Sequence, residues 1–234
     1  MDIKPNIVYE DNHVIVVVKP HNIPVQEDES KDKDLLTIIK DYIKVRDNKP
    51  GNVFLGLVHR LDRPTGGVMV FAKTSKSASR LSAELKKKEL KKHYLCVVNG
   101  TPQIKKNSLK TYLKKDEKNN IVKIVPMSET GAKEAILNYK VIATKNNLSL
   151  IKIELITGRS HQIRVQMSKQ LNMPIYGDFK YGDDKHKSNL ALWSYELKFV
   201  HPTTKQNMRF VVAPDYNNSI FKLFEKEIEE IINK

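Results

Sequence analysis

A single cysteine, Cys96, stands in 234 residues, so the chain has no internal disulfide and no thiolate cage for a metal. Its neighbours Leu95, Val97 and Val98 mark it as a buried structural thiol. No apolar run approaches the ~20 residues that span a bilayer. Met1-Asp2-Ile3-Lys4-Pro5 lacks the apolar core of a signal peptide. These absences argue against a membrane protein and a disulfide-stapled secreted domain, and a cytoplasmic protein is expected. Arginine is scarce too, with 7 against 34 lysines. Where plain positive charge suffices this chain uses Lys, so its few arginines mark places that need a planar, bidentate donor. Four of the seven (Arg60, Arg63, Arg159, Arg164) fall in two short segments.

Acidic residues are outnumbered, 27 to 41, for a net charge of +14 and a pI of about 9.6. Residues 73–123 hold 15 Lys or Arg against 4 Asp or Glu, +11 of that total. Abundant Lys, Asn and Ile point to a coding bias, but charge gathered in one region resembles a nucleic-acid footprint more than a uniform bias. Lys86, Lys87 and Lys88 are its densest run.

Along the chain, Ile7-Val8-Tyr9 and Val14 to Val18 read as strands, and Gln26 to Asp34 as an acidic loop. Leu35, Ile38, Ile39, Tyr42 and Ile43 recur at helical spacing. Strands are expected over Val53 to Val58 and Val68 to Ala72. Ser75 is expected to cap a helix that carries Ala78, Leu81 and Leu85 on one face. Further strands follow at His93 to Val98, 108–113, 121–125, 132–143, 147–156, 189–200 and 206–212, with a hairpin turn at Lys145-Asn146-Asn147. A helix is expected from His161 to about Leu171, after Gly158 has permitted a sharp turn. Pro174 to Asp184 is a loop, and Ile220, Phe221, Phe224, Ile228 and Ile231 form an amphipathic terminal helix. The fold class is α/β (α+β), one compact domain over 1–234 around a mixed, largely antiparallel sheet flanked by helices.

The segment His59-Arg60-Leu61-Asp62-Arg63-Pro64-Thr65-Gly66-Gly67 places one carboxylate between two arginines, before a turn of small residues. Nearby guanidinium charge favours the ionised form of a carboxylate, which a nucleophile or cation stabiliser needs. Asp beside Pro, Thr and Gly is also ordinary turn chemistry, and such arginines also make surface ion pairs of little consequence. In the second segment, Thr157-Gly158-Arg159-Ser160-His161-Gln162-Ile163-Arg164, a helix start with Arg, His and Gln nearby suits a phosphate. Equally, Arg164 could serve only to pair with a structural carboxylate. His13, His21 and His186 sit in loop-like surroundings without metal-ligand spacing.

Together these motifs resemble the RluA-type family of RNA pseudouridine synthases over nearly the whole chain. The resemblance is carried by Val18-Lys19-Pro20, Ile23-Pro24-Val25-Gln26, the His59 to Arg63 segment, Lys92-His93-Tyr94 and the Gly158 to Arg164 segment. Pro174-Ile175-Tyr176-Gly177-Asp178 and the stretch from Leu190-Ala191-Leu192 to His201-Pro202 extend it. It implies an isomerase that detaches uracil from its ribose, turns the base over and reattaches it through carbon, with neither metal nor cofactor. By resemblance Asp62 is the essential aspartate, Tyr94 the active-site tyrosine and Arg164 the arginine that pairs with the aspartate. Leu192 supplies an apolar wall and Arg60 fills the gap left by the extruded nucleotide. Arg63, Arg159, His161 and Lys86 to Lys88 are expected along the RNA, in a central cleft. The partner implied is ribosomal or transfer RNA, and the enzyme is expected to act as a monomer.

Gly67 stands where the family often has Ser and is expected to loosen the turn. Trp193 replaces a frequent His, and His21-Asn22 replaces a small residue and Gly, although Asn tolerates a left-handed backbone. An S4-type domain is not expected in front, which assigns RNA recognition to the catalytic domain. The rival reading is a non-catalytic RNA-binding or ribosome-assembly protein. A glycoside hydrolase would need a second carboxylate opposite Asp62, and the motifs supply none.

Overall fold

The computed structural model describes residues 4–182, 188–217 and 219–234. The chain divides into two compact units, Met1–Lys91 with Ser194–Val212, and Lys92–Trp193 with Ala213–Lys234. His186 lies outside the described residues.

The first unit is built on β1 (Asn6–Glu10), β2 (Val14–Lys19), β3 (Gly56–Leu57), β4 (Gly66–Ala72), β10 (Leu192–Val200) and β11 (Asn207–Val211). They run in the order β1-β2-β4-β10-β11, with β3 on β4. Every residue of β2 and β4 is buried, which explains why both read as unbroken apolar runs rather than alternating ones. Val14, Val16, Val68, Val70, Leu81, Leu197 and Phe199 make one core cluster. Of the strand expected over Val53 to Val58, only Gly56–Leu57 pairs with β4.

Helix α1 (Leu35–Arg46) starts at Asp34, whose carboxylate accepts from the Thr37 N–H and hydroxyl at 3.0 and 2.7 Å. Helix α2 (Ser75–Lys86) is capped by Thr74, which accepts from the Ser77 N–H at 3.1 Å. The cap thus lies one residue before Ser75; either hydroxyl has the chemistry, and only Thr74 has the extended backbone a cap requires.

The second unit holds β5 (Lys91–Asn99), β6 (Lys106–Asp116), β7 (Ile121–Val125), β8 (Lys133–Lys145) and β9 (Leu148–Leu155), ordered β5-β9-β8-β6-β7 with antiparallel pairing. Asn146 and Asn147 turn β8 into β9 with φ of 53° and 57°, the backbone that a two-residue hairpin loop of primed type needs. Cys96 lies fully buried on β5 opposite Ile151, and burial pushes its thiol pKa well up.

The helix expected from His161 to Leu171 is not one helix. His161 is left-handed (φ 51°), α3 spans only Gln162–Val165, and a π-helical turn covers Gln166–Gln170. A ladder of glutamines accounts for this. Gln162 donates to Gln166 at 3.0 Å and Gln166 to Gln170 at 3.3 Å, while Gln162 and Gln166 also reach strand carbonyls of Ile136 and Leu109. These bonds pull the backbone onto the sheet, and widened turns of this kind recur at functional sites. Helix α4 (Glu225–Ile232) follows a 3-10 turn at Ile220–Phe224 and buries Phe221, Phe224 and Ile228.

Candidate active-site residues

Asp62 lies half-buried in the segment between β3 and β4, where the Thr65 N–H donates to its carbonyl at 2.9 Å. The device that shapes this turn is Lys19, at the end of β2. Its side chain is fully buried, and the ammonium donates to the carbonyls of Pro20, Arg63 and Thr65 at 2.9, 2.9 and 2.8 Å. All three protons of the cation are thereby satisfied. Burial pushes its pKa down to about 7, with the charge of Asp62 opposing that shift. His21 Nδ1 meets the Pro64 carbonyl at 2.7 Å, so this histidine supports the turn. Asn22 is left-handed, φ 64°, as its type allows.

The two flanking arginines do not clamp Asp62. Arg63 turns to the acidic loop, donating to Ser30 Oγ at 2.7 Å, pairing with Asp32, and reaching Asp28 at 3.8 Å. Arg60 is exposed. Lys19, within this unit, feels the charge of Asp62. Nor does Gly67 loosen the turn. It takes φ 122°, and a Cβ there would drive into the Ser194 backbone. Glycine is what lets β4 lie against β10.

In the second unit Tyr94 is buried on β5, opposite Ile153. Arg164, also buried, donates from Nε and Nη2 to Asp178 at 2.9 and 2.6 Å. Asp178 is wholly buried and accepts as well from the N–H groups of Lys180 and Tyr181. The Arg164 guanidinium lies 5.1 Å from the Tyr181 ring centroid. The Tyr181 hydroxyl accepts from the Val122 N–H at 2.9 Å and shares a second hydrogen bond of 2.6 Å with His161 Nδ1. His161 is therefore drawn into a structural network. Arg159 is exposed and donates from Nε to the Glu134 carbonyl at 2.9 Å. Leu192 and Trp193 are buried, and Lys86, Lys87 and Lys88 are exposed at the end of α2.

Sequence reasoning quoted Lys19, Asp178 and Gln162 within motifs without seeing their partners, and passed over Tyr181, Gln166 and Gln170. The i, i+4 spacing of Gln162, Gln166 and Gln170 is a signal that could have found that series; the others needed the partners that folding supplies. Among the described residues no group of three His, Cys, Asp or Glu is arranged to hold a metal, and no helix is long and apolar enough to cross a membrane.

Residues 13–169 match the family model described as RNA pseudouridylate synthase. A Buchnera aphidicola protein named ribosomal large subunit pseudouridine synthase C is 35% identical over 234 residues, covering 95% of this chain and 70% of its own. A Helicobacter pylori protein, named an uncharacterized RNA pseudouridine synthase, is 29% identical and covers 100% of this chain and 75% of its own. Among solved structures, human RNA pseudouridylate synthase domain containing 4 superposes with a TM-score of 0.76 at 21% identity, over 97% of this chain and 92% of that one. That last likeness is one of fold.

Proposed function

This chain belongs to the RNA pseudouridylate synthase family, and from that premise we propose that Asp62, Tyr94 and Arg164 carry its reaction. As an RNA pseudouridine synthase it is an isomerase that converts uridine to pseudouridine in RNA. The C1′–N1 bond of the nucleotide breaks with its electron pair left on N1, the base turns, and a C1′–C5 bond forms; C5 then gives up its proton to solvent and N1 takes one up, so the formula is unchanged. Breaking the first bond leaves positive character on the sugar. The Asp62 carboxylate stabilises or traps it, and the Tyr94 phenol packs on the base and takes part in proton transfer. Arg164 orients and balances the aspartate; this role rests on the family resemblance.

The observation that carries the assignment is the Asp62 turn itself. A buried ammonium holds three of its neighbouring carbonyls and leaves the carboxylate half-buried. The substrate is RNA held by its backbone charge. Arg60 and Lys86 to Lys88 have the exposure for that role, whereas Arg63 and Arg159 already hold protein oxygens. The names of relatives favour ribosomal RNA of the large subunit as the target, ahead of transfer RNA. A cytoplasmic monomer completes the reading.

The test is tritium release from transcripts carrying 5-tritiated uridine. Wild-type protein is expected to release label, and Asp62→Asn to stop release while keeping its fold and most RNA affinity. Activity of the variant within about tenfold of wild type, roughly 1.4 kcal/mol of barrier, would rule out an essential Asp62. Mapping pseudouridines in RNA from cells with and without the gene then identifies the target.

A further inference from the structure

Among the described residues two lysines are buried, and they are in opposite situations. Lys19 spends its three protons on three carbonyls. Lys92, only 7% exposed, makes no hydrogen bond or ion pair with any described residue. Its stem is enclosed while the Nζ is not among the wholly enclosed polar atoms left without a partner, so the ammonium keeps an opening to solvent and has no protein acceptor or counter-ion. Desolvation is the sole cause of its lowered pKa, about 8, and no carboxylate opposes it.

The surroundings of Lys92 point the same way. It sits two residues before Tyr94 on β5, so both side chains leave the same face of the strand. Above it lies Gly158, exposed in the segment leading into α3. A Cβ at Gly158 would come within 3.1 Å of the Lys92 Nζ. Gly158 is not among the glycines of positive φ, so the backbone turn expected of it is not why the position lacks a side chain. The bare position leaves the ammonium within reach of the surface beside Gly158. Arg159, the next residue, is exposed and adds positive charge to the approach.

We propose that Lys92, beneath Gly158, is a subsite for a phosphate oxygen of the RNA backbone beside the target uridine. The inference rests on the RNA reading above. A phosphate is favoured over a base carbonyl because a full negative charge matches an ammonium that has no counter-ion, and Tyr94 already occupies the place of the base.

The test compares wild type, Lys92→Met and Gly158→Val on an in vitro transcript of large-subunit ribosomal RNA. Three quantities are read: the dissociation constant at several salt concentrations, the single-turnover rate at saturating RNA, and the melting temperature. Lys92→Met is expected to melt at or above the wild-type temperature and to bind about tenfold more weakly, as for one charged hydrogen bond. Its log–log salt slope should fall by about one unit, with the loss on affinity rather than on the saturated rate. Gly158→Val, which covers the ammonium without removing it, should reproduce the affinity loss. Three results would overturn the subsite: unchanged affinity and slope, a slowed saturated rate at unchanged affinity, or a Lys92→Met variant that melts lower or fails to fold. If the wild-type protein neither binds nor isomerises RNA, the functional reading falls first and the subsite with it.

Discussion

Arg164 shows how a residue's partner changes the experiment that probes it. Its side chain forks onto Asp178, and the two are among the most buried charged groups of the second unit. A guanidinium has a second donor edge at Nη1, and the family role toward Asp62 would use it. Arg164→Met alone would therefore strand the buried carboxylate of Asp178. That change is expected to destabilise the protein by about 3–5 kcal/mol, whereas Arg164→Met with Asp178→Leu should recover most of the loss. Urea unfolding of the two variants measures the difference. A single variant as stable as the wild type would mean that Asp178 finds another partner. Tritium release is then best compared between the double variant and Asp178→Asn, where loss of catalysis is not confounded with loss of fold. The motif around Arg164 was plain in the sequence, but its partner was not. Asp178 lies 14 residues away and Asp32, the partner of Arg63, lies 31 residues from it; such pairs are set by tertiary packing.

Elements were easier to read than their ends. The long apolar strands, the Asn-Asn hairpin and the helical spacing of α1 were all visible, because period and turn chemistry are local. The segment after Gly158 was not, since its π-helical turn follows from glutamines finding strand carbonyls. Gly67 was misjudged for the same reason, because its constraint comes from Ser194, 127 positions on. Gly67→Ala is expected to cost about 3 kcal/mol or more, the sum of a disfavoured backbone and a backbone collision. A variant that unfolds at the wild-type urea concentration would show that β4 and β10 can part there at little cost. At the end of α2, neutralising Lys86, Lys87 and Lys88 to Gln is expected to flatten the salt dependence of RNA binding by up to about three units in the log–log slope. An unchanged slope would move the RNA path away from α2 and favour coding bias as the origin of that run.

For the molecule as a whole, buried lysines set how stability follows pH. Lys92 titrates at about 8 in the folded chain, against ~10.4 when unfolded. Between those values the unfolded chain holds a proton that the folded one has released, so stability rises with pH. Below pH 8 both states hold it, and the folded protein bears the whole penalty of the buried charge. Lys92→Met is accordingly expected to exceed the wild type by on the order of 2 kcal/mol near pH 7, with the margin closing toward pH 10. Denaturant titrations of both proteins across that range give the margin directly, and a margin independent of pH would show that Lys92 stays charged.

Cys96 offers a use that has nothing to do with catalysis. It is the single thiol of the chain, wholly enclosed in β5, with its reactive thiolate suppressed by that enclosure. A cysteine introduced on the surface, at Lys87 for instance, would take a fluorophore or spin label alone, with no need to remove the native one. Cys96 itself is a built-in clock. Alkylating reagent reaches it only when β5 opens, so at reagent concentrations where alkylation outpaces reclosing the rate at which it is consumed is the rate of opening.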